Sequence, residues 1–164
     1  MNDFARRVVS YALLRQGLPY CWLGKGLLCW SPNGGVPTPL VAGCTEAYDC
    51  SGLVTTSILA AGGPDLRMTW KALTFWLEAP LPLGGEQRRL RLFGTNGEVD
   101  HIAIELGGDY QVEASGGDRT TTTASIAIKR GAKVRISDIS EGRRDFIGYR
   151  SLNALQHYRP KGAQ

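Results

Sequence analysis

The order of elements predicts an α+β fold, with N-terminal helices packed on an antiparallel β-sheet. Three observations carry this. The first stretch is helix-periodic, the second half is a succession of short alternating runs, and no strand–helix–strand alternation signals a parallel sheet. At 164 residues the chain suits a single domain spanning 1–164, and it has no internal repeat.

Each element follows from local chemistry. Residues 3 to 16 place Phe4, Val8, Tyr11, Ala12 and Leu13 on one helical face, with Gly17 as the stop. Residues 26 to 47, "GLLCWSPNGGVPTPLVAGCTEA", are rich in Gly and Pro, carry no period and read as a long functional loop. A helix is expected from 50 to 61, closed by Gly62, Gly63 and Pro64. Thr69 is expected to cap a short helix through Leu77, ended by Pro80 and Pro82. The runs "LRLFG", "HIAIEL", "YQVEA", "SIAIK", "KVRIS" and "DFIGYR" then alternate as strands between Gly, Asp and Ser turns.

Hydrophobic content of 43% and charged content of 21% are those of a globular protein, which argues against disorder. No apolar run is long enough to span a bilayer. The start, "MNDFARRVVSYALLRQG", has an acid and arginines among its apolar positions, so it is not read as a signal peptide, and synthesis in the cytoplasm is expected. The net charge of +4 favours anionic partners, but its arginine clusters are not interleaved with aromatics, so no nucleic-acid partner is expected.

Chemistry concentrates at "YDCSGLV", residues 48 to 54. The four cysteines, at 21, 29, 44 and 50, are separated by seven, fourteen and five residues, without the tight pair of a zinc site. Cys50 can be a half-disulfide, a buried structural thiol or a nucleophile. For the last, Asp49 as N-cap would set Cys50 in the first helical turn, where free N–H groups and the dipole stabilise a thiolate. Cys29 and Cys44 are the natural disulfide pair if the protein works outside the cytosol, and two reduced thiols otherwise.

His101 opens "HIAIEL", with Ala103 and Glu105 on its face of the strand. Glu113 lies twelve residues on, across a turn of Gly107, Gly108 and Asp109. In a bulge-free hairpin with that three-residue loop, His101 and Glu113 share a face as direct or diagonal neighbours. Glu113 can then orient an imidazole whose other nitrogen faces a thiol. A solvated surface pair is the alternative.

"LPYCWLGKG", "YDCSGLV", "VDHIAIELGGDYQVEASGG" and "DFIGYRSL", in that order, resemble the NlpC/p-sixty family of cell-wall cysteine peptidases, over nearly the whole chain to about Leu152. The resemblance implies a papain-like fold and hydrolysis of peptidoglycan stem peptides, commonly between D-glutamate and a diamino acid. It implies Cys50 as nucleophile, His101 as base and Glu113 in place of the family's third polar residue, usually His, Asn or Gln. Tyr20 would line the site and assist the oxyanion, and Asp49 and Ser51 would contact substrate. No metal or cofactor is implied.

Three features depart from the family pattern: the glutamate itself, "WLGKG" without the usual Gly-Gly after Trp, and the long 26 to 47 loop. Because the start is not read as a signal peptide, action at the cell wall is expected through a phage lysis or tail protein, or a toxin delivered by secretion machinery, with a matching tail or secretion partner. Two other readings are a lipid-directed acyltransferase or thioesterase of the same fold and a non-catalytic tail component.

Overall fold

The computed structural model describes residues 3–29, 38–39, 46–95, 97–140 and 143–159. Helix α1 runs Asp3–Leu13, and Gly17, at φ +90°, turns the chain after it. Short strands follow: β1 Lys25–Gly26, β2 Leu28–Cys29, β3 Thr38–Pro39 and β4 Ala47–Tyr48. Thus the expected loop of 26 to 47 carries strand pairs at its ends, β1 with β4 and β2 with β3. Residues 30–37 and 40–45, including Cys44 and with it the Cys29–Cys44 pairing, lie outside the described residues.

Helix α2, Cys50–Ala60, begins where expected. It is buried from Ser51 to Ile58 on every side, which is why its sequence is apolar all round. Its interior hydroxyls turn back on the helix: Thr55 donates to the Ser51 carbonyl at 2.9 Å and Ser57 to that of Leu53 at 2.7 Å. Helix α3, Ala72–Glu78, starts later than expected. Thr69 sits in a turn, its N–H donating to the Leu66 carbonyl, and the cap position falls at Lys71, whose N–H donates to Thr74 Oγ1 at 3.4 Å.

Strands β5 (Leu90–Thr95), β6 (Glu98–Gly107) and β7 (Tyr110–Ser115) come next. The segment "SIAIK" is a helix instead of a strand: α4 spans Ala124–Arg130. Thr123 Oγ1 accepts from the Ile126 N–H at its start, Gly131 adopts φ +66° at its end, and Lys129 and Arg130 sit in the last turn. These two caps outweigh five residues of apolar alternation. Strands β8 (Lys133–Asp138) and β9 (Phe146–Arg150) and a short 3₁₀ turn, Asn153–His157, complete the described chain. The sheet is antiparallel, in the order β8-β7-β6-β5-β9.

Even-numbered sheet positions, Leu90, Leu92, Ile102, Ile104, Val112 and Val134, join Phe4, Val8, Leu53, Ile58 and Phe75 in one core. The opposite face is also buried, although it carries Arg91, His101, Glu105, Gln111 and Glu113. Arginines and aromatics cover it, with the Arg89 guanidinium 3.6 Å from the Tyr149 ring centre and that of Arg91 4.7 Å from Phe146. Among the described residues, no helix is long and apolar enough to cross a membrane.

Candidate active site

Cys50 is the first residue of α2, and Asp49 caps that helix by accepting the Gly52 N–H at 2.5 Å. The Cys50 thiol is half-buried and reaches the Asp100 carbonyl at 3.8 Å. It stands beside the imidazole of His101 in the same groove and favours that ring's protonated form. His101 Nε2 lies 2.6 Å from Glu113 Oε2. The carboxylate therefore holds the ring, and Phe93 flanks it with ring centres 5.6 Å apart.

The His101–Glu113 contact depends on strand register. Gly107 pairs with Tyr110 across a two-residue turn, Gly108 and Asp109, and both glycines have positive φ. Between Glu105 and Gly107 the register shifts by one residue, so Glu105 faces Gln111 and Ile104 faces Val112. Continued inward, this register sets Glu113 opposite Ala103, diagonal to His101 and on its face. Without the shift Glu113 would face Ile104, on the helix-packed side. The expected hairpin had three turn residues and no bulge. The observed one has a shorter turn and one extra strand residue, and the two differences cancel.

Burial opposes charge on His101, but the hydrogen bonds to Cys50 and Glu113 outweigh it and raise its pKa from 6.5 to about 9. Burial alone would raise Glu113. His101, Ser137 and Arg135 instead hold it below its ordinary value. Ser137 Oγ donates to Glu113 Oε1 at 2.9 Å and Arg135 Nε at 3.4 Å. At neutral pH the site thus holds an imidazolium against a carboxylate. Arg135 and Ser137 were missed in the sequence, although their alternation in "KVRIS" marks them as one face of a strand that pairs with β7.

Tyr20 is buried, and burial followed by the acidic side chains of Cys50 and Asp49 raises its phenol above the ordinary range, so it stays a neutral donor. Its ring lies against Gly117, where a Cβ would come within 2.2 Å of it. Asp49 and Ser51 are engaged within the protein. Lys25 Nζ donates to Asp49 Oδ1 and Oδ2 at 2.9 and 3.1 Å and to Ser51 Oγ at 2.7 Å. Lys25 was also missed, because one lysine in a glycine-rich stretch carries no period. Gly52 has its own reason: a Cβ there would lie 1.9 Å from the Gly24 carbonyl oxygen, which accepts from the Asp49 N–H.

Cys50, His101, Tyr20, Asp49 and Ser51 all line one open groove of about 830 Å³, whereas Glu113 lies behind His101. Arg67 to Ala72 form part of one wall and Ala114 to Thr120 part of another. Among the described residues, no group of three or more His, Cys, Asp and Glu side chains is placed to hold a metal ion.

This architecture is the NlpC/P60 fold. The peptidoglycan hydrolase RipB of Mycobacterium tuberculosis superposes with a TM-score of 0.57 at 22% identity, over 90% of this chain and 63% of that one. This chain therefore spans less than two thirds of RipB. The P60 domain of an antigen from M. avium subspecies paratuberculosis gives 0.59 at 23% identity, covering 94% of this chain and 96% of that one. RipD of M. tuberculosis, a non-catalytic NlpC/p60 domain protein adapted to peptidoglycan binding, gives 0.58 at 19%, covering 92% and 98%. No family model and no curated protein matches the sequence.

Proposed function

We propose that this chain is a cysteine peptidase of the NlpC/P60 type that cleaves peptidoglycan stem peptides, with the D-glutamyl–diamino acid bond as the expected target. The observation that carries the reading is the imidazole of His101, bonded to the Glu113 carboxylate at 2.6 Å and sharing one groove with the Cys50 thiol at the start of α2. Cys50 Sγ attacks the scissile carbonyl carbon, and the C–N bond breaks as imidazolium His101 gives its proton to the leaving amine. Water, deprotonated by His101, then cleaves the thioester and regenerates the thiol. The N–H of Cys50, at the helix start, and the Tyr20 hydroxyl are the donors offered to the oxyanion. Asp49 and Ser51 contribute to the groove wall. The place of action is the cell wall, reached through a phage or secretion route.

The test is digestion of purified peptidoglycan, with fragments identified by mass spectrometry beside a Cys50→Ala control. Release of stem fragments by the wild type alone supports the reading. Binding without release by either protein would make this chain a wall-binding domain, as RipD is.

A further inference from the structure

Strand β1 and the start of α2 are locked together by one buried cation, Lys25. Lys25 is 3% exposed, Asp49 5% and Ser51 5%. The ammonium uses both Asp49 oxygens and Ser51 Oγ, and Ser51 Oγ itself donates to Asp49 Oδ1 at 3.0 Å. Backbone packing fixes the same junction: β1 pairs Lys25 with Tyr48, and the Asp49 N–H donates to the Gly24 carbonyl at 3.0 Å. The two acceptors of Lys25 are the residues on either side of Cys50. An ion pair this buried is maintained only when both charges are present and hydrogen-bonded.

We propose that Lys25 is a positioning residue for the Cys50 thiolate, neutralising the Asp49 carboxylate beside it and holding the two flanking residues still. The inference rests on the reading of Cys50 as a nucleophile. Asp49 must stay as the cap of α2, yet a bare carboxylate next to the thiol would repel the thiolate. Lys25 cancels that charge from within the protein and leaves the dipole and His101 to act on Cys50. The other titratable and charged side chains that line the groove with Cys50 are Tyr20, His101, Asp100 with its ion-pair partner Arg143, Arg67, Lys71, Asp118 and Arg119, and all of them are unchanged in the variants below.

The experiment measures the rate of iodoacetamide alkylation at Cys50 against pH, by peptide mapping, in the full chain and in Lys25→Met, Asp49→Asn and the double variant. Asparagine caps a helix as well as aspartate, so the double variant removes the charges and keeps the cap. Lys25→Met should move the alkylation midpoint up by about one pH unit, the effect of a nearby uncompensated charge. The double variant should return it to within a few tenths of the wild type. An unmoved midpoint in Lys25→Met, or a double variant displaced as far as the single, overturns the proposal. Should Lys25→Met not fold, as circular dichroism would reveal, a folded double variant with the wild-type midpoint upholds it and a displaced midpoint sinks it. If wild-type protein fails to digest peptidoglycan while the midpoint still moves, the peptidase reading falls and the role of Lys25 stands.

Discussion

His101 and Glu113 meet at 2.6 Å because β6 holds one residue more than its partner strand between Glu105 and Gly107. The shift carries Glu113 from the helix-packed face to the face of the imidazole. Replacing Glu113 by Gln should lower kcat/KM by about 10- to 100-fold, the cost of about 1.5–3 kcal/mol for a hydrogen bond between charged groups. His101→Ala should lose more. Stem-peptide kinetics decide this, and a fully active Glu113→Ala protein would assign the orienting role elsewhere.

The raised pKa of His101 sets an alkaline limit. Activity that depends on imidazolium should persist through neutrality and fall as pH rises through about 9. The same shift contributes stability that is complete below the ordinary value of 6.5 and is lost as pH rises through about 9. Glu113 has the opposite sign: its contribution is present above 4.5 and is lost as pH falls through its depressed value. Glu113→Gln should bring the alkaline limb of the rate profile below about 9, because one of the two groups that raise His101 is gone. An unmoved limb counts against the coupling.

Cys50→Ala should abolish hydrolysis with the melting temperature nearly unchanged. Cys21→Ser should remain active, since Cys21 is buried with its thiol donating to the Thr122 carbonyl at 3.5 Å, a bond a hydroxyl can also make. Peptidoglycan digestion read alongside thermal melts separates the two.

Gly117→Ala probes the groove wall. Its Cβ would meet Tyr20 ring atoms at 2.2 to 2.7 Å, so the ring or the turn must move. Activity should drop by about tenfold or more while the fold persists, as a misplaced active-site group costs rate more than stability. Wild-type kinetics in Gly117→Ala would show that Tyr20 takes no part.

The caps of α4 can be tested by stability alone. Thr123→Ala should cost about 1 kcal/mol in urea unfolding, and Gly131→Ala, at φ +66°, about 1 kcal/mol. Two neutral substitutions would mean that packing of Ala127 fixes the helix without help from its ends.

That helix marks where reading the sequence stops. Alternation located β5 to β9 because each of those runs lies between residues that turn the chain. "SIAIK" shows the same alternation over too few residues to separate period 2 from period 3.6, and the deciding signal lay outside it, in Thr123 and Gly131. Cys50 was legible because a capping aspartate precedes it at the start of a helix, and His101 because it heads the alternating run "HIAIEL", although β6 itself begins earlier, at Glu98. Placing Glu113 beside His101 was legible only as parity, and the correct parity came from a turn and a bulge that no residue type announces. Lys25, Arg135 and Ser137 act through contacts between segments far apart in the chain, which local pattern does not encode.

The half-buried thiol stands on a helix enclosed on every side, and its histidine on a strand whose two faces are both covered. Much of the groove wall comes instead from the connecting segments at Arg67 to Ala72 and Gly116 to Thr120. Reactivity and selectivity are thus held by different parts of the molecule, one anchored in the core and one draped at its rim. Redrafting the rim would change what the groove admits while the reacting groups kept their spacing.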